Sequence, residues 1–338
     1  MFIATDIEAF KASFINGLQC MLNTDTEGLG AFILVLANSM QDKQLSALLS
    51  ASLADKFSQL NRQTLIAPDD DIAVFSALQG LGITALSHWQ KIEKSPWELV
   101  YNPLRALRPA RTSQQRIDTI QQAFNPKGFN FNKPFLKPEI LWEGTHKQRN
   151  LRVLYNKFPF APWHLLIVPE AEQQHPQFLN ESIHHYMMDL AIDYAEIFAG
   201  FGIGFNSLGA YASINQLHFQ AFIREETLPI ESEHWHHNGG DKAYPLQCDR
   251  YDNASAAWEA IAHYHHTNQP YNILYRANTC YLMPRQMQGQ IDLSDWAQGL
   301  AWLELCGVFT LSQSHYLSRL SSHDIEQQLS KLDVNKHG

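Results

Sequence analysis

The stretch Phe205-Asn-Ser-Leu-Gly-Ala-Tyr-Ala-Ser-Ile-Asn-Gln-Leu-His-Phe-Gln-Ala-Phe222 decides the reading of this chain. Its second half alternates polar and apolar residues, the period of a strand whose successive side chains point to opposite faces. Gln216, His218 and Gln220 then share one face, and Leu217, Phe219 and Ala221 share the other. One face can pack while the other carries chemistry. A strand is expected over Ile214 to Ile223, preceded by a glycine-bearing turn at Gly209.

Around this stretch the chain has 338 residues, 45% of them hydrophobic and 17% charged, enough for a large core in a soluble protein. A formal charge of −9 argues against a general nucleic-acid or anionic-membrane surface, which needs clustered cations. Cys20, Cys248, Cys280 and Cys306 are widely spaced and form no CxxC pair, so neither a disulfide framework nor a sulfur-rich zinc site is expected. An acidic N-terminal stretch, the short apolar run Ala31 to Ala37 and the cysteine usage lead to the expectation of a cytoplasmic protein without an anchor.

Residues 1 to about 95 read as a helical N-terminal extension, with apolar residues at three- and four-residue spacing over Ile7–Met21, Gly28–Met40 and Gln44–Leu60. The run Pro68-Asp-Asp-Asp71 suits a turn or a helix N-terminus, where acids meet the positive end of the helix dipole. Residues 96–320 carry the catalytic unit, and residues 321–338 form a C-terminal helix and tail. Leu151–Phe158 and His164–Pro169 are strand-like runs joined by a proline-stiffened connection, followed by a helix over Phe178–Gly200. Further helices are expected over Asn253–His266, Ser294–Leu311 and His323–Leu332, and a hairpin over Tyr271–Pro284. Strand, strand, long helix, strand makes the fold class α+β.

A neutral imidazole is a good nucleophile towards phosphorus, and a rigid strand beside a turn can hold it there. His218 fits that description. Ser213 and Gln220 can donate to phosphoryl oxygens without supplying a strong acid, which favours transfer over hydrolysis. Arg105, Arg108 and Arg111, together with Lys157, Arg149 and Arg152, are candidate phosphate contacts, Arg108 and Lys157 foremost. The clusters His234, His236, His237 and His263, His265, His266 lack cysteine or carboxylate partners at metal-ligand spacing, and no metal or other cofactor is expected.

Phe205-Asn-Ser-Leu-Gly-Ala210 and Gln216-Leu-His-Phe-Gln220 resemble the active-site motif of the histidine-triad superfamily, in the transferase branch whose last triad position is glutamine. The similarity is strongest to the GDP-hexose phosphorylases, the GDP-L-galactose and GDP-D-glucose enzymes. Asn156-Lys-Phe-Pro-Phe-Ala-Pro-Trp-His-Leu-Leu-Ile-Val-Pro169, Gly128-Phe-Asn-Phe-Asn-Lys133, Gln269-Pro-Tyr-Asn-Ile-Leu274 and Tyr281-Leu-Met-Pro-Arg285 resemble segments of the same family, in the same order. Roughly residues 80 to 320 take part.

The resemblance implies a histidine-triad, galactose-1-phosphate uridylyltransferase-like antiparallel sheet with flanking helices. It implies that His218 attacks the α-phosphorus, with Gln220 as its catalytic partner, while Ser213 helps bind the oxygens. Asn156 would hold the ribose hydroxyls, and Asn206 and Gln216 would lie in the phosphate region. Hexose 1-phosphate would leave, and inorganic phosphate would release GDP, so nucleotide sugar and phosphate are the expected partners. Gln216 departs from the family, which has a histidine there. In the superfamily, however, it is the backbone carbonyl at this position that receives the N–H of the nucleophile's other ring nitrogen. The alternatives are a hydrolase, a transferase of another base specificity, or a non-catalytic nucleotide-binding regulator. The site is built either across two subunits of a homodimer or with a degenerate second half from Tyr271 to Pro284.

Overall fold

A computed structural model describes residues 3–23, 28–107, 116–297 and 299–336. Four helices come first: α1 (Ile7–Asn23), α2 (Leu29–Ser39), α3 (Lys43–Leu60) and α4 (Asp69–Leu81). Asp42 caps α3 by accepting from the Leu45 N–H at 2.8 Å, and Asp69, Asp70 and Asp71 occupy the first turn of α4 behind Pro68. The chain then forms β1 (Gln90–Lys94), β2 (Trp97–Tyr101) and the short α5 (Pro103–Ala106). Residues 90–94, expected within the helical stretch, are therefore a strand. They pair with β2 across a tight turn at Ser95-Pro96.

The remaining elements are β3 (Ile140–His146), β4 (Arg149–Tyr155), β5 (Leu165–Pro169), α6 (Glu181–Ala195), β6 (Phe201–Asn206), β7 (Phe219–Ile223), β8 (Asp249–Tyr251), α7 (Ala254–His266), β9 (Tyr271–Arg276) and β10 (Thr279–Pro284). They are followed by α8 (Trp302–Leu305), β11 (Val308–Leu311), α9 (Tyr316–Arg319) and α10 (Ser322–Lys331). Eight strands form one antiparallel sheet in the order β3-β4-β5-β7-β6-β9-β10-β8, and β1-β2-β11 form a smaller sheet with β11 parallel to β2. The fold is α+β, with helices on a large antiparallel sheet. Among the described residues no helix is long and apolar enough to cross a membrane.

Two expectations fail locally. The strand expected over Ile214–Ile223 starts only at Phe219, because Gln216 and His218 use their polar groups on partners outside the sheet ladder. The helix expected over Ser294–Leu311 is one turn, α8, followed by β11, whose backbone pairs with β2.

Both faces of the central strands are buried, and the period of two divides them. Phe201, Ile203 and Phe205 of β6, with Leu217, Phe219 and Ala221, enter one core together with α1–α4, α6 and α7. Phe222 enters a second core with Trp97, Trp302, Phe309 and the C-terminal helices. On that second face β6 offers Gly202 and Gly204 ahead of Asn206. A Cβ on Gly204 would lie 2.3 Å from the Trp302 ring, and one on Gly202 2.4 Å from Phe222. The missing side chains are the space in which the two rings stack, with centroids 5.0 Å apart. Gly204→Ala is accordingly expected to cost about 1–3 kcal/mol through overpacking, seen as a lower urea midpoint; an unchanged midpoint would contradict this packing.

Candidate active site

His218 stands immediately before β7, 5% exposed. Its Nδ1 lies 2.7 Å from the carbonyl oxygen of Gln216. A carbonyl can only accept, so Nδ1 carries the proton and the Nε2 lone pair is left free. Among the described residues Nε2 has no hydrogen-bond partner. Burial pushes the imidazole down to about 4, against a small opposing effect of the Gln216 carbonyl, so the ring is neutral at physiological pH.

The Gln216 side chain does not face a ligand space. It is 1% exposed, its Oε1 accepts from the Phe131 N–H at 2.7 Å, and its Nε2 donates to the Ala171 carbonyl at 3.0 Å. The glutamine thus clamps the Gly128–Lys133 segment, whose Phe131 ring lies 5.1 Å from the His218 ring. Gln177 is a second clamp that the sequence reading missed. Its Oε1 accepts from the His218 N–H at 2.9 Å, while its Nε2 donates to the carbonyls of His218 and Asn206 at 3.1 and 2.8 Å.

Gln220 faces the second core. The Trp302 indole N–H donates to its Oε1 at 2.8 Å, and its side chain lies beside His164. An indole N–H is a donor only, so the contact fixes which end of the amide is oxygen. His164 is wholly buried: its Nδ1 accepts from the Phe160 N–H at 3.2 Å. Burial, and secondarily the charge of Arg105, push this imidazole down to about 3. The Asn156 amide nitrogen approaches the same ring to 3.2 Å, while Asn156 Oδ1 accepts from the Phe158 N–H at 3.0 Å.

Asn206 is 3% exposed, and its Oδ1 accepts from Asn272 Nδ2 at 2.6 Å and from the Trp302 N–H at 3.0 Å. Lys157 points away from this network and donates to both carboxylate oxygens of Asp71 at 2.7 Å. Ser213 is exposed on the segment between Gly209 and Gln216. Arg108 lies outside the described residues, as does Arg111. Arg149 and Arg152 are paired with Glu170 and with Glu143 and Glu172. Arg105 donates to the Phe158 carbonyl at 3.1 Å and sits 4.6 Å over the Phe160 ring.

The structure therefore joins Asn156, His164, Gln220, Trp302 and Asn206 in one chain of contacts, with His218 tied to it through β7 and Gln177. The segments singled out in the sequence converge here. Phe131 covers His218, Asn272 bonds Asn206, and the buried guanidinium of Arg285 lies 4.9 Å over the Tyr211 ring of the opening stretch. Of the histidine clusters, His265 lies on the Tyr271 hydroxyl at 2.9 Å and His237 on the Ile230 carbonyl at 2.8 Å, while His234, His236, His263 and His266 are exposed.

The fold, an antiparallel sheet with flanking helices, is similar to that of yeast Ap4A phosphorylase Apa2. That structure matches with a TM-score of 0.50 at 14% identity, over 80% of this chain and 96% of its own. Residues 94–222, the segment that contains His218, match the family model described as GDPGP1-like, N-terminal domain. Relatives are GDP-D-glucose phosphorylase 1 of Danio rerio, 39% identical over 125 residues, and of Homo sapiens, 35% identical over 130. GDP-L-galactose phosphorylase 1 of Arabidopsis thaliana is 32% identical over 139 residues. Each match covers 36% of this chain and 35%, 33% and 30% of the respective relative, so the chain spans about a third of their length.

An unfolded histidine titrates near 6.5, whereas His164 and His218 titrate at about 3 and about 4 when folded. The unfolded chain therefore binds more protons as pH falls below 6.5, and stability drops towards pH 4 by up to about 1.4 kcal/mol per pH unit for each ring. Ring-nitrogen NMR at pH 5.5 is expected to show His218 neutral and protonated on Nδ1. A charged ring at that pH would contradict the site described.

Proposed function

We propose that the chain is a nucleotidyltransferase that phosphorolyses a nucleoside-diphosphate hexose, GDP-hexose in view of its relatives' names, through a nucleotidyl-histidine on His218. The observation that supports this reading is the state of His218: buried, neutral, with Nδ1 committed to the Gln216 carbonyl and Nε2 unengaged among the described residues.

In the first step Nε2 attacks the α-phosphorus, an Nε2–P bond forms, the bond from that phosphorus to the bridging oxygen breaks, and hexose 1-phosphate leaves. In the second, an oxygen of inorganic phosphate attacks the same phosphorus, the Nε2–P bond breaks, and the nucleoside diphosphate departs. The Gln216 carbonyl stabilises the imidazole through the Nδ1 proton as positive charge develops on the ring.

Gln220, its Oε1 taken by Trp302, offers its amide N–H groups to a phosphoryl oxygen. It cannot act as a general acid or activate water efficiently, which favours phosphate as the acceptor. Ser213 supplies a further donor, and Asn156 the contact to the ribose hydroxyls. Asn206 serves by holding Trp302, and the side chain of Gln216 by holding Phe131. A role for Arg108 on the phosphates belongs to the same reading.

Incubation with radiolabelled GDP-glucose in the absence of phosphate is expected to label the wild type at His218 and to leave His218→Ala unlabelled; added phosphate should then release labelled GDP. Label that survives in His218→Ala would sink the mechanism. Tight GDP binding with no adduct and no turnover would assign a non-catalytic regulator instead. Release by water at the rate seen with phosphate would assign a hydrolase.

A further inference from the structure

The connection between β4 and β5, residues 156–164, carries both Asn156 and His164. Two prolines, Pro159 and Pro162, leave it short of backbone donors, and Trp163 has φ +51°. On one side it is held from α5 and its N-cap, by Asn102 Nδ2 donating to the Pro159 carbonyl at 2.9 Å and Arg105 donating to the Phe158 carbonyl.

The other side is held from the N-terminal helices. Asn38 of α2, wholly buried, donates from Nδ2 to the Asn156 carbonyl at 2.9 Å. Gln41, just past α2, accepts the Trp163 N–H on its Oε1 at 2.6 Å. Asp71 of α4, 5% exposed, receives Lys157 on both oxygens. Phe10 and Phe14 of α1 meet the Trp163 ring edge-on at 6.0 and 5.2 Å.

We propose that these helices form part of the ligand-binding apparatus, with Asn38, Gln41 and Asp71 as positioning residues that hold the 156–164 connection in register with His218. Three polar contacts reach one nine-residue connection from two helices and the turn after α2. Two of the three residues, Asn38 and Asp71, are buried, where an ion pair or hydrogen bond is fixed in geometry and leaves an uncompensated group when broken. The connection runs directly into β5, which pairs with the nucleophile's strand β7, Leu165 opposite Ala221 and Leu166 opposite Gln220, and so passes its position on. All three positioning residues precede the segment that matches the family model.

This inference rests on the reading of His218 as nucleophile, and its test separates the two. In full-length Asp71→Asn and Asn38→Ala, hydrogen exchange should quicken at the Phe158, Phe160 and Trp163 amides while the amides of Phe219–Ile223 keep their protection. The KM for GDP-glucose should rise about tenfold or more, the scale of one buried charged hydrogen bond, with kcat changed far less. Asp71→Glu should recover most of the loss, as should the reversed pair Asp71→Lys with Lys157→Asp.

Folded variants with unchanged exchange and unchanged KM would overturn the proposal. If Asn38→Ala fails to fold, Gln41→Ala, which removes one acceptor at the end of α2, carries the same expectation for the Trp163 amide. If the wild type forms no adduct, the mechanism fails alone. Exchange together with GDP affinity by calorimetry then decides the positioning role: weaker GDP binding in the folded variants supports it, and unchanged binding overturns it.

Discussion

The contact on which the site most depends is the indole of Trp302 lying against Gly204 with its N–H on Gln220. A full-sized aromatic ring fits against the sheet only because β6 has no side chain there. Once in place it does three things: it stacks on Phe222, orients the Gln220 amide, and presents its backbone N–H to Asn206. The polar side of β7 is thereby built from a residue far away in the chain. The apolar side is built from the alternating Leu217, Phe219 and Ala221, which belong to a different core.

His218 sits where these two environments meet. Its low proton affinity follows from burial, and its tautomer from a single carbonyl. The substitution of glutamine at position 216 leaves that carbonyl untouched and gives the side chain a separate task, holding Phe131 over the ring. Neither a protonated neighbour nor a carboxylic acid is needed to set the state of this imidazole.

Much of this was legible in the sequence where it was local. The alternation from Gln216 to Phe222 gave the two faces of β7, although the strand begins later than the pattern suggests because Gln216 and His218 spend their polar groups outside the ladder. The helices α1 to α3, α6, α7 and α10 follow from apolar spacing, and the β4–β5 hairpin from two apolar runs about a stiff connection. Contacts between distant amide, indole and carboxylate groups were not legible. Gln177, Trp302, Asn38 and Asp71 each make a decisive polar contact, but a lone polar residue on a helix or loop leaves no periodic signal. Lys157 illustrates the point: a cation beside the ribose-binding position reads as a phosphate ligand until a buried aspartate from another element takes it. The segment containing α8 and β11 misled for the opposite reason, since its apolar residues fit helical spacing while parallel pairing with β2 won.

The two-faced burial of β6 and β7 also limits how the molecule can be divided. Residues 94–222 contain His218 and most of the residues around it, but on one face of their sheet α1 packs on β3 and on Tyr155 of β4, and the other face of β6 is covered by Trp302. Excised alone, that stretch would expose the sheet at β3 and β4 on one face and at β6 and β7 on the other, and β6 would lose β9 along its edge. The active segment is therefore a middle layer rather than a module. Its chemistry can be inherited, fused or transplanted only together with something that plays the part of both coverings.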